Sequence, residues 1–148
     1  MKIGIIVAMD KEFAQLTTLA TDMKEEMHGQ RKFVTGRIAH NEVVMQQCGI
    51  GKVNSAVGAA EMIAIYHPDL VVSTGVAGGV DTSLEVTNVV VSSECCYHDV
   101  YCGDECKPGQ VLGMPERFGC PKDLVEKATS LDCETHVRSG LIVTGDWF

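Results

Sequence analysis

No stretch of the chain approaches the roughly 20 consecutive apolar residues that a membrane span needs. The opening apolar run, Ile3 to Met9, is too short for the core of a secretory signal. It is followed at once by Asp10 and Glu12 rather than by a small-residue cleavage site. A cytoplasmic location and no membrane partner are therefore expected. There is also no run of lysine and arginine to meet a phosphate backbone, and the formal net charge is −8, so no nucleic-acid partner is expected. Arg31-Lys32 is the only local basic cluster and reads as a solvated edge. Internal repeats and low-complexity linkers are missing as well. The seven cysteines are an odd number without a signal peptide, which argues for reduced thiols and against a disulfide framework.

What is present suits a globular chain. The 148 residues are 45% hydrophobic and 22% charged, enough to bury a real core in one domain, 1–148. Lys2 to Val7 reads as a buried strand. Asp10 can cap a following helix whose apolar stripe is Phe13, Leu16, Leu19 or Ala20, and Met23. Phe33 to Ile38 and Val43 to Cys48 flank a plausible hairpin turn at Ala39-His40-Asn41-Glu42. Val53 to Tyr66 is a small-residue helix ended by His67-Pro68. Leu70 to Thr74 and Val86 to Ser92 read as further strands, and Tyr97 to Gly119 as a long loop. Pro121 suits the first position of a helix carrying Leu124, Ala128 and Leu131 on one face, and Val137 to Thr144 is a last strand entering a loop that reaches Phe148. Strands alternating with helices indicate an α/β fold, with a mixed central sheet flanked by helices because of the hairpin. The chain stops in mid-element, so the domain is expected to be incomplete at its C-terminus.

In open α/β sheets ligands bind outside the carboxyl ends of the strands. Three such ends carry suggestive residues: Ala8-Met9 with Glu12, Gly49-Ile50-Gly51-Lys52, and Gly75-Val76-Ala77-Gly78-Gly79. Glu12 falls in the first turn of its helix, where the dipole favours a carboxylate. Such a group can act as a general base toward water, or can simply complement the dipole. The glycines of the third loop let backbone approach a ligand closely, though glycine-rich turns are common after strands. Gly51-Lys52 is not a Walker loop, since Gln46 and Val53 occupy positions that pattern reserves for glycine and a hydroxyl residue. Cys95, Cys96, His98, Cys102 and Cys106 have zinc-ligand chemistry, but they form no second compact pair, so no metal is expected.

Together these pieces resemble the methylthioadenosine/S-adenosylhomocysteine nucleosidases of the purine nucleoside phosphorylase-like superfamily. The resemblance is carried by Met1 to Ile6 with Ala8-Met9 and Glu12, and by Gly49-Ile50-Gly51-Lys52-Val53. It continues through Ser73-Thr74-Gly75 with Ala77-Gly78-Gly79, Tyr97-His98-Asp99, and Gly140 to Val143 with Gly145-Asp146. It implies a phosphorylase/hydrolase-like fold, no cofactor, a homodimer, and hydrolysis of the N-glycosidic bond of adenosine thioethers. In that likeness Glu12 matches the water-activating carboxylate. Ala77 and Gly78 match backbone near base and ribose, and Met9 and Ile50 match apolar contacts to the nucleoside. The family's adenine-protonating Asp and its ribose-binding Met-Glu pair lie further along than residue 148. Val76 stands where a small polar residue is usual, and Tyr101 is the only aromatic between Val100 and Met114. A phosphorylase of the same superfamily would need Arg forks for phosphate. None of the three strand-end loops contains Arg, and Lys52 is the one cation they carry, so hydrolysis is preferred. A catalytically incomplete nucleoside-binding fragment is the third reading.

Overall fold

The computed structural model describes residues 1–147. The chain divides into two compact units, Met1–Ala77 and a second beginning at Gly78.

The first unit is a five-stranded sheet with helices on both faces. Its elements are β1 (Lys2–Val7), α1 (Asp10–Thr17), β2 (Thr21–His28), β3 (Arg31–Ile38), β4 (Asn41–Gln47), α2 (Lys52–Tyr66) and β5 (Leu70–Ser73). The strand order is β2-β3-β4-β1-β5. β1 runs parallel to β4 and β5, while β2, β3 and β4 form an antiparallel meander, so the sheet is mixed as expected. Alternation along β1, β3 and β4 sends side chains to two separate cores. Ile5, Val34, Val43 and Met45 face Phe13 and Leu16 of α1. Ile6, Phe33 and Val44 face Met62, Ala59 and Tyr66 of α2. Gly4 lets α2 come close, because a Cβ there would collide with the Met62 side chain. His67 ends α2 in a left-handed conformation (φ 48°), with Pro68 behind it.

Helix α1 is shorter than its apolar stripe suggests. It starts at Asp10, with Met9 and not Asp10 in the capping position, and stops at Thr17. The hydroxyls of Thr17 and Thr18 donate to the carbonyls of Ala14 and Gln15, at 2.9 and 2.7 Å. Such bonds compete with helix continuation. Leu19 is left exposed and Met23 lies in β2, a strand the periodicity missed. That strand is mostly exposed and is held by its pairing with β3, including Lys32 to Glu25 at 3.1 Å.

The second unit holds β6 (Val89–Tyr97), β7 (Phe118–Gly119), α3 (Lys122–Thr129) and β8 (Val137–Thr144) in a three-stranded sheet of order β7-β6-β8. β6 is parallel to β8 and antiparallel to β7. The strand expected at Val86 begins only at Val89. Glu85 and Asn88 close a turn first, and Val86 is 92% exposed. Cys95 and Cys96 lie within β6 rather than after it. Pro121 sits just before α3, and Leu131, expected on that helix, falls beyond its end and is exposed. The stretch from Tyr97 to Gly119 is irregular apart from its ends, where Tyr97 closes β6 and Phe118–Gly119 form β7. Phe148, the last residue of the expected terminal loop, lies outside the described residues. No helix among the described residues is long and apolar enough to cross a membrane.

Candidate active site

In the first unit the parallel register of β4, β1 and β5 brings three strand ends to one edge. Val7 pairs with Gln47, and Ile6 with Ser73. Cys48 N–H donates to the Val7 carbonyl at 2.9 Å, and Thr74 N–H to the Ile6 carbonyl at 3.1 Å. The loops at 8–9, 48–51 and 74–77 therefore begin side by side.

Glu12 occupies this edge. Its Oε2 accepts the N–H groups of Ala8 (3.1 Å) and Met9 (2.9 Å), and its Oε1 accepts the N–H of Val76 (2.8 Å). Glu12 thus turns back over the start of its own helix and also ties that helix to the end of β5. Two oxygens offer about four lone-pair sites. Among the described residues three are engaged, and one on Oε1 is left for a further donor. A water molecule placed there would meet a carboxylate whose orientation is already set, the geometry a general base requires. Sequence position pointed to Glu12 through its place in the first turn. The donor from Val76 was not visible that way, because it comes from 64 residues along the chain.

Met9 is half-buried at the head of α1. Ile50 is 60% exposed in the loop after β4. That loop depends on two glycines in left-handed conformations, Gly49 (φ 93°) and Gly51 (φ 101°), which other residues adopt only with strain. Asn54 Nδ2 donates to the Ile50 carbonyl at 2.7 Å and fixes the turn. Ala77 is exposed at the end of the first unit, and Gly78 is exposed where the second begins, with open space where a side chain would lie. The fold brings Glu12, Met9, Ile50 and Ala77 to one strand-end edge. A cleft of about 330 Å³ opens on the same unit, lined by Phe13, Arg31, Gln47, Cys48 and Gly49 among others. Burial pushes the Cys48 thiol up, and its Sγ donates to the Val7 carbonyl at 3.2 Å, so it is a poor nucleophile.

In the second unit the strand ends carry Tyr97-His98-Asp99 and Gly145-Asp146-Trp147. Asp99 Oδ2 accepts the Asp146 N–H at 2.8 Å, and the rings of His98 and Trp147 meet edge to face at 5.2 Å. A Cβ at Gly145 would strike the His98 ring, which explains the glycine. Burial likewise raises the Cys95 thiol, whose Sγ lies 3.1 Å from the Ser92 hydroxyl. Among the described residues no group of three or more His, Cys, Asp or Glu could hold a metal ion.

Residues 2–148 match the family model described as the phosphorylase superfamily. The chain is 41% identical to the 5′-methylthioadenosine/S-adenosylhomocysteine nucleosidase of Hydrogenovibrio crunogenus, over 100% of this chain and 66% of that one. It is similar to the crystal structure of such a nucleosidase from Colwellia psychrerythraea in complex with adenine (TM-score 0.91, 41% identity), covering 100% of this chain and 63% of that one. It is similar also to the S. pneumoniae enzyme with the transition-state inhibitor MT-ImmA (TM-score 0.93, 36% identity), covering 100% and 66%. The chain spans about two thirds of the length of these relatives.

Proposed function

The chain belongs to the phosphorylase superfamily, and from this we propose that the protein hydrolyses the N-glycosidic bond of adenosine thioethers, methylthioadenosine and S-adenosylhomocysteine, releasing adenine. The observation that carries the reading is the Glu12 carboxylate, held by three backbone N–H groups at a strand-end edge with one acceptor site to spare. As the bond between ribose C1′ and adenine N9 breaks, positive charge develops on the sugar and negative charge on the base. Water adds its oxygen to C1′ and passes a proton to Glu12, while the departing adenine takes up a proton. The net change is the consumption of one water. By the resemblance, none of residues 1–148 matches the family's adenine-protonating Asp. Met9 and Ile50 supply apolar surface to the nucleoside, and Ala77 and Gly78 supply backbone near base and ribose.

The names of the similar proteins support the substrate class, as does the adenine bound in one of them. Hydrolysis is preferred to phosphorolysis because the loops at 8–9, 48–52 and 74–79 contain no Arg to grip phosphate. A cytoplasmic homodimer completes the proposal, and light scattering of the purified protein tests the subunit number.

The decisive experiment follows adenine release from methylthioadenosine, with and without phosphate, for the native protein and for Glu12→Gln. The expected result is release independent of phosphate that falls by about 10²–10⁴-fold in the variant with KM little changed. Near-normal turnover by Glu12→Gln removes the carboxylate from the mechanism, and release that requires phosphate makes the protein a phosphorylase.

A further inference from the structure

We propose that Gly75 is a positioning residue for Glu12, and that the absence of a side chain there sets where the carboxylate stands. This rests on the reading of Glu12 given above. A Cβ built at Gly75 would collide with Glu12 Oε1 and come within 2.9 Å of its Cδ and 3.3 Å of Oε2. Gly75 is not among the glycines with left-handed backbone, so its conformation does not demand glycine. The demand is for space. Gly78, three residues on, has open space where its Cβ would stand, with no neighbour within 4 Å, and has no such role.

The arrangement has a mechanical logic. β5 ends at Ser73, and Thr74 N–H still bonds to β1. The chain then passes directly over the carboxylate, and the next N–H, that of Val76, lands on Oε1 at 2.8 Å. A methyl group at position 75 must either lift the chain or push the carboxylate aside. The carboxylate is the far end of a flexible side chain, whereas the backbone is anchored to β1 one residue earlier, at Thr74, so the carboxylate is what moves. Oε1 then leaves the Val76 N–H, and the base loses its aim while the fold survives. A displacement of that kind, near 1 Å, costs on the order of 10²-fold in rate.

The test compares Gly75→Ala in the native background and in a Glu12→Ala background, where no carboxylate remains to be moved. In the native background the Val76 amide proton, read by NMR, shifts well beyond the neighbour effect of the added methyl. In the Glu12→Ala background only that neighbour effect remains. Equal shifts in both backgrounds overturn the proposal. In adenine release, Gly75→Ala lowers kcat about a hundredfold with KM unchanged, and unchanged kcat beside an inactive Glu12→Gln also overturns it. Should Glu12→Gln keep full turnover, the assignment of Glu12 falls, while the amide comparison still decides whether Gly75 sets the carboxylate. If Gly75→Ala does not fold, adding Glu12→Ala restores folding, and failure of the double variant counts against the proposal.

Discussion

The two units are built from the same kinds of element and are stabilised differently. Every fully buried hydrophobic side chain among the described residues belongs to the first, from Ile5 and Phe33 to Met62. Among the described residues of the second, only Gly109, which has no side chain, is fully buried, and the side chains of β6 and β8 are half-exposed or exposed. The second unit has the β6–β8 ladder, half-buried apolar residues such as Val90, Val91, Leu124 and Val125, and a set of surface pairs. Arg138 donates to Asp81 at 2.6 Å and to Ser83 at 2.9 Å, Lys107 meets Glu116 at 2.6 Å, and Arg117 meets Glu94 at 3.1 Å. Exposed pairs contribute little each, typically below about 1 kcal/mol, whereas a buried aromatic contributes several times as much. Helices on both faces of a sheet create two cores, and a sheet with one short helix creates none of comparable depth.

Core truncation puts the largest strain on this contrast. Phe33→Ala, which removes a ring packed on Tyr66 at 5.2 Å, is expected to cost about 3–5 kcal/mol. Val143→Ala, at a site 45% exposed, is expected to cost about 1 kcal/mol or less. Urea unfolding of both variants decides the matter, and equal losses would mean the second unit has a core that the contrast denies it. A smaller effect comes from Gln46, fully buried beneath α2 with neither amide atom bonded among the described residues. Gln46→Met keeps the volume and removes the unpaired amide, so a gain of about 1–2 kcal/mol is expected. A loss in its place would reveal a partner such as a buried water.

The smallest effect lies in the second unit. The Asp81 carboxyl is lowered from 3.8 to about 2, chiefly by the Ser83 backbone N–H, then by the Ser83 hydroxyl and Arg138. Because the folded value is the lower one, this contribution is present above the ordinary carboxylate range and disappears as pH falls through about 2. Between those limits the thermal midpoint should drop less steeply in Asp81→Asn than in the native protein. Parallel curves would show that the turn at 81–83 contributes nothing to the unit.

How much of this is legible in the sequence cuts across that division. α2 was legible because its run of small and apolar residues ends at His67-Pro68, a local stop signal. β1, β4 and β8 were legible as β-branched runs between breakers. β2 was not, because Thr21 to His28 carries polar and charged side chains whose strand character comes from β3, a partner no local pattern names. Val86 looked like strand and is turn, since the Glu85–Asn88 bonds outweigh its propensity. At the candidate site the carboxylate was legible and its setting was not. Glu12 announces itself by its place after a strand, whereas Gly75 and the Val76 N–H reach it only through the pairing of β1 with β5.

The interior place of β1, between β4 and β5, also bears on how the chain is made. Its neighbours are β4, whose Glu42 pairs with Lys2, and β5, whose Leu70 pairs with Ile3. A ribosome adding about 5–20 residues per second therefore releases this apolar strand roughly 2–8 s before its first partner exists. Meanwhile β2, β3 and β4 can close as successive hairpins the moment each emerges. The N-terminal strand must wait, both edges open, for a slot that the meander prepares on one side and that β5 completes on the other. Nascent chains halted between residues 30 and 40 should be where chaperones that grip extended apolar segments are needed most.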